Sequence, residues 1–391
     1  MTAAERRRRL AVRHGLAGAL PGPADAARAV VALHATDPAT VYLSVRARTG
    51  GAAGQADVEA SLYERRDLVR MLAMRRTVFA VPAESVTVVQ ASTSDRIAAQ
   101  QRDRLLRLLT GAGVAERPDA WLADVERSVL AALAELGGTA TAAQLSAAEP
   151  RLKTAVLVAA GKSYQASQAI TSRVLLVLAA QGRIVRGRPA GTWLSQQYQW
   201  TLAENWLPPV PSAVRPADPA SAMASLARLW LTAFGPARLD DLKWWTGWGM
   251  TETRRAVAAL GAAEVDLDGA AAMILPGDLA PCQDPGQWAA LLPALDPTVM
   301  GWRDRSWFAG PHAPALFDGY GNAGPTIWLD GRIVGGWAQR ADGEIAVRLF
   351  EDVGSEAVSL IDAEAESLRT WLGDQRVTPR FRTPTERQLS A

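Results

Sequence analysis

One pattern constrains this chain more than any other: three times over, three helical segments are followed by a strand pair. In the first cycle, apolar residues recur at helical spacing in ADAARAVVAL (24–33), PATVYLSVRAR (38–48) and ADVEASLYERR (56–66). LVRMLAMRRTVFAVP (68–82) then alternates and carries β-branched residues, which predicts extended strands. In the second, WLADVERSVLAALAEL (121–136) is an amphipathic helix, and GGTATAAQLSAAEP breaks at Gly and restarts on a Thr cap. SYQASQAITSRVLLVLAAQG (163–182) predicts a longer helix, and residues 182–202 predict two strands around a basic GRPAG turn. The third cycle follows a Pro-rich linker (207–219), with helices over 218–234, 235–248 and 251–260 and a strand–DG–strand unit over 262–276.

Helix, helix, helix, hairpin is the order of a winged helix. After about residue 290 the chain turns strand-rich, with DG turns at 330–331 and 342–343 and a closing helix over 362–374. The expected fold is therefore α+β: winged helices over 1–115, 116–206 and 207–285, and a C-terminal β-rich, barrel-like domain over 286–391. Repetition of one module favours an extended reading surface over one deep cavity.

The composition narrows the chemistry. With 391 residues and 49% apolar content the chain fills several cores. One cysteine, Cys282, rules out internal disulfides, and three histidines (His14, His34, His312) argue against a metal cluster, so no metal and no cofactor are expected. No apolar run approaches the roughly 20 residues of a membrane helix. The basic start has no apolar stretch behind it, so no signal peptide is read and a cytoplasmic protein is expected.

Charge is unevenly spread. Lys+Arg against Asp+Glu is 17 to 10 over residues 1–110, 7 to 0 over 151–200, and 12 to 20 over 251–391. Fifty residues without a carboxylate predict a surface facing a polyanion. In the second module, Lys162, Ser163, Gln168 and Arg173 decorate the predicted long helix, and Arg183, Arg186 and Arg188 its wing. All are suited to phosphate. Arg75 and Arg76 open a predicted strand, where neighbours point to opposite faces, so at most one serves the same partner and the other pairs with a carboxylate. Arg303 and Arg305 alternate in GWRDRSW and share a face.

The stretch ALHATDPATVYL (32–43) sets His34, Thr36 and Asp37 at a break between two apolar segments. Asp–Pro has a structural explanation, Asp as N-cap and Pro at the first helical position. His34 can equally close a helix. No Ser–His–Asp set, P-loop, GxGxxG or metal spacing competes for chemistry, and GYGNAG (319–324) lacks the following helix of a phosphate cradle.

The repeat, LHATDPATVYL, AMRRTVFAVP, GPARLDDLKWWTGW, LLPALDP with GWRDR, and PTIWLDGRIVGGW together resemble one family, the AlkZ/YcaQ-like winged-helix DNA glycosylases. The resemblance implies three tandem winged helices and a C-terminal β-rich domain forming a C-shaped clamp around duplex DNA, acting as a monomer. It implies excision of bulky or cationic alkylated purines; some members unhook interstrand crosslinks and some protect a genotoxin producer. The family's catalytic signature is Gln–apolar–Gln followed by Asp–Pro. His34 takes the first Gln position, Ala35 the apolar one and Thr36 the second, a departure, while Asp37 and Pro38 match. In this reading His34, near its ordinary pKa of about 6.5, orients a water and accepts its proton. Thr36 holds the same water, and Asp37 stabilises developing positive charge. The rival reading is a DNA-binding regulator or lesion sensor without catalysis; a protein-interaction scaffold is a third.

Overall fold

A computed structural model describes residues 1–158, 161, 165–207 and 218–391. Each of the three cycles keeps the helix, helix, helix, hairpin order and adds a short strand or bridge after its first helix, with a further hairpin inserted in the second. In the first, helix Pro23–Ala29 leads to β1 (Leu33–His34), helices Pro38–Arg48 and Gln55–Glu59, then β2 (Leu68–Ala73) and β3 (Thr77–Pro82), with sheet order β1-β3-β2. The second runs from helix Pro118–Glu135 to β4 (Thr139–Ala140) and helix Ala142–Ala148. An inserted hairpin, β5 (Ala155–Val158) with β6 (Ala166–Ala169), precedes helix Thr171–Ala180, β7 (Ile184–Pro189) and β8 (Tyr198–Leu202). Its sheet order, β4-β8-β7, repeats the first. In the third, helices Pro219–Phe234, Leu239–Thr246 and Met250–Ala258 precede β9 (Ala263–Leu267) and β10 (Ala270–Ile274), and the extra strand shrinks to one bridge, Ala237 to Met273.

Local chemistry explains most of these boundaries. Asp37 caps helix Pro38–Arg48 and Asp218 caps Pro219–Phe234, each followed by Pro at the first helical position. Thr141 and Gln144 close a reciprocal capping box on Ala142–Ala148. Asp268–Gly269 turns β9 into β10, and Asp330–Gly331 joins the strands Thr326–Leu329 and Arg332–Gln339.

Three expectations need correcting. The helix of residues 24–33 stops at Ala29, because Leu33 and His34 pair with Ala80 and Phe79 of β3. The long helix of 163–182 begins only at Thr171, because Ala166–Ala169 pairs with β5. The C-terminal region is no closed barrel: β11 (Ala289–Leu292), β12 (Thr326–Leu329), β13 (Arg332–Gln339) and β14 (Ile345–Leu349) form an open antiparallel meander, with helix Ser355–Leu372 packed on it.

Two apolar cores result. The larger joins the first and third modules and the C-terminal sheet, and buries Trp230, Trp302 and Trp328 almost fully. The smaller belongs to the second module and draws Leu105 and Leu109 from helix Asp95–Gly111. Helix Pro38–Arg48 is buried on nearly every face, its position locked between β1 and β11. The charge asymmetry is largely internal. Acids of the C-terminal region meet arginines of the N-terminal one: Asp296 with Arg48, Glu364 with Arg46, Asp278 with Arg9 and Arg13, Glu252 with Arg96.

Candidate active site and nucleic-acid interface

The strand-to-helix junction at residues 33–38 holds the three residues singled out for chemistry, and the fold gives each a different environment. His34 ends β1, edge-on to Phe79 with ring centroids 5.4 Å apart, and is only 6% exposed. Its Nδ1 has no hydrogen-bond partner among the described residues. Burial, with a further push from Arg75, lowers its pKa to about 3, so the imidazole is neutral at physiological pH. The expected histidine near 6.5 is thus replaced by a weak base.

Asp37 is almost as covered. One carboxylate oxygen accepts from the Ala39 N–H at 3.2 Å, the helix cap, and the other from the Arg380 N–H at 2.9 Å. Burial raises its pKa, and those bonds only partly oppose the shift.

Thr36 alone of the three is half-exposed. It stands in an open cleft of about 610 Å³, between the first and second modules, with Arg186, Tyr198, Trp200, Gln196, Gln197, Thr141 and Arg380. The cleft's described lining contains no carboxylate. Arg186 lies over Tyr198 and Trp200, 5.3 and 5.5 Å from their ring centroids.

The remaining sequence candidates sort by what they touch. Arg188, one of the expected DNA-binding residues, bonds Glu59 at 2.8 Å and Glu64 at 3.3 Å, tying the second module's β7 to the first module. Arg75 and Arg76 do not open a strand. They form a turn between β2 and β3, both at positive φ (53° and 61°), so the alternation argument does not apply. Arg75 stacks on Trp244 at 3.8 Å, and burial lowers its pKa to about 10, while Arg76 is exposed. Arg303 and Arg305 do not share a face. Arg305 turns inward to Gly321 O at 2.7 Å and Trp302 O at 3.2 Å, and Arg303 stays exposed. Gln168 is exposed on β6 and accepts from Arg173 at 3.3 Å, and Arg183 is exposed just before β7. Lys162 and Ser163 lie outside the described residues.

Two arginines of this region escaped the sequence reading. Arg70, inside the apolar run of β2, is 3% exposed and donates to the Tyr63 hydroxyl at 2.5 Å. An arginine at a core-facing strand position was its only signal. Arg380 had none, lying beyond the last amphipathic helix and reaching Asp37 across 343 positions.

Comparison with known proteins places this geometry. A family model described as DNA glycosylase AlkZ-like matches residues 27–371. Among solved structures, the Streptomyces sahachiroi DNA glycosylase AlkZ is similar over 97% of this chain and 99% of its own, with a TM-score of 0.71 and 20% sequence identity, a likeness of fold. No curated protein matches this chain.

Proposed function

The chain belongs to the AlkZ-like family of DNA glycosylases, and from that premise we propose that it hydrolyses the N-glycosidic bond of bulky or cationic alkylated purines in duplex DNA. The observation that carries the proposal is the cleft itself: Thr36 stands on its wall beside Arg186 and Arg380, without a carboxylate among the described lining residues. The three repeated units are read as winged helices that set arginines along the duplex.

The chemistry asks little of the protein. A purine alkylated at N7 or N3 is already cationic. When the bond from C1′ to the base breaks, the electron pair returns to the base and neutralises it, so no strong general acid is needed. Water attacks C1′, its proton passes to solvent, and a free base and an abasic site remain. In this mechanism the neutral His34 orients that water as a hydrogen-bonding group rather than as a base. The Thr36 hydroxyl both donates and accepts, and holds the water from the cleft side. Asp37, with both oxygens engaged by main-chain N–H groups, acts as a positioning residue that fixes the junction.

Release of N7-methylguanine from methylated duplex DNA tests this reading. The parent protein is expected to release it, with His34→Ala and Thr36→Val each slower by about tenfold. The rival, a DNA-binding protein without catalysis, draws on the sealed Nδ1 of His34 and the threonine at the second signature position. It predicts binding with no abasic sites. Intact DNA binding with no base release from methylated or crosslinked duplexes would decide for it.

A further inference from the structure

Three guanidinium groups converge beneath and beside the cleft. Arg70 is nearly sealed, with Nε and Nη2 unpartnered among the described residues, and lies 5.0 Å from the Tyr198 ring centroid. Arg186 covers the other contact to that ring at 5.3 Å. Arg380 is exposed and lines the same cleft. Burial, together with the nearby charges of Arg70 and Arg380, weakens the hold of Arg186 on its proton. Arg188, two residues further along the same strand, is neutralised by Glu59 and Glu64. Like charges held together without a counter-ion oppose folding unless an anion joins them.

The segment that delivers Arg380 is firmly seated. Gln339 accepts from Val377 N–H at 2.8 Å and donates to Gln375 O at 3.0 Å. Arg376 bonds Ala341 O and Asp342 O at 3.0 and 2.9 Å, and Arg382 bonds Glu386 at 2.7 Å. Between these anchors the Arg380 N–H meets Asp37, so the backbone that orients the junction also fixes where the side chain starts. This strap lies past residue 371, where the family match ends.

We propose that Arg380 and Arg186 together grip one backbone phosphate of the DNA strand passing Thr36, with Arg380 held in place by its main-chain bond to Asp37. The inference rests on the glycosylase reading and deepens it. A phosphate held by the two arginines sets the register of the strand, so the sugar presented to Thr36 is chosen by the spacing of the backbone.

The test uses the full chain and a short fluorescein-labelled duplex, with affinity followed by fluorescence anisotropy from about 50 to 200 mM salt. Arg380→Gln is expected to weaken binding about tenfold and to flatten the plot of log K against log salt by about one unit. Arg380→Lys keeps the slope. The melting temperature of Arg380→Gln stays at the parent value, because the N–H to Asp37 remains. A parent that binds with a steep salt dependence, beside an Arg380→Gln variant of unchanged slope, overturns the phosphate grip and leaves the glycosylase reading standing. A lowered melting temperature with unchanged slope overturns it too, by making the residue structural only. A parent that binds no duplex at any salt overturns the glycosylase reading and this inference together.

Discussion

The chain contains two Ala–x–Asp–Pro junctions, each leading from a strand into a helix: Ala35–Thr36–Asp37–Pro38 and Ala294–Leu295–Asp296–Pro297. Both aspartates cap in the same way, accepting from the N–H two residues on (Ala39 at 3.2 Å, Thr298 at 2.8 Å). Each has a buried histidine in its surroundings. Beyond that they part. Asp296 is fully buried and receives both ends of the Arg48 guanidinium at 2.8 and 2.9 Å, with Ser44 at 2.6 Å. Thr298 continues that network to His14. Ala233 O can only accept, so His14 Nε2 carries the proton toward it at 3.2 Å, and Nδ1 accepts at 2.9 Å from the Thr298 hydroxyl, which itself accepts from Arg48 at 2.8 Å. Both carboxylate oxygens of Asp296 and both ring nitrogens of His14 are engaged. At the other junction Asp37 has main-chain donors and no paired arginine side chain among the described residues, His34 Nδ1 has no partner, and Thr36 opens on a cleft where Leu295 is 1% exposed. The motif builds the cap; the neighbours decide whether the junction is a rivet or a site.

The largest effect expected from this contrast is on stability. Asp296→Asn leaves Arg48 buried with no counter-charge, and a broken buried pair costs about 3–5 kcal/mol. Urea unfolding followed by tryptophan fluorescence of the larger core measures it. A loss no larger than that of Asp37→Asn would erase the distinction drawn between the two junctions.

The next effect is on pH dependence. Burial takes both His14 and His34 down to about 3, against about 6.5 in an unfolded chain. Between those values the unfolded state binds the proton and the folded state does not. Stability therefore rises with pH across that window and falls as pH drops below about 6.5, by up to about 1.4 kcal/mol per pH unit for each imidazole. His34→Gln should remove one of the two contributions from the slope measured between about pH 5 and 6.5, and the rate of base release in the parent should show no limb at that pH. An unchanged slope would mean that His34 protonates in the folded state, and would restore it as a base.

How much of this was readable in advance follows from the range of each interaction. The three cycles, the Asp218 and Thr141 caps and the DG turns depend on residues a few positions apart, and they stand in the sequence. The short strands β1 and β4 do not, since two residues carry no alternation to detect. Buried arginines mislead in the other direction. Arg46 and Arg48 end a helix, yet are 1% and 0% exposed, because their carboxylates arrive from Glu364 and Asp296 more than two hundred positions away. The same holds within the cleft. Arg186 and Arg188 look alike in GRIVRGRP, and only the fold reveals that one meets Glu59 and Glu64 while the other meets aromatic rings.

The smallest effect belongs to Asp37, and its sign is the informative part. Its folded pKa is raised, so the folded state holds the proton more tightly than the unfolded chain. Stability contributed by this group is then present below the unfolded value of about 3.9 and is lost as pH rises through the folded one. Asp296 runs the opposite way: its pKa is lowered despite complete burial, by Arg48 above all, so its contribution holds above about 3.9 and fades on acidification. At neutral pH, Asp37→Asn removes a charge that burial disfavours, keeps the oxygen that caps Ala39, and forfeits the bond from Arg380 N–H. These terms oppose one another, and the net loss should stay within about 1 kcal/mol. Base release should survive within about tenfold, as befits a residue that positions the junction. A much larger fall in rate at unchanged stability would instead give the Asp37 charge itself a part in the bond-breaking step.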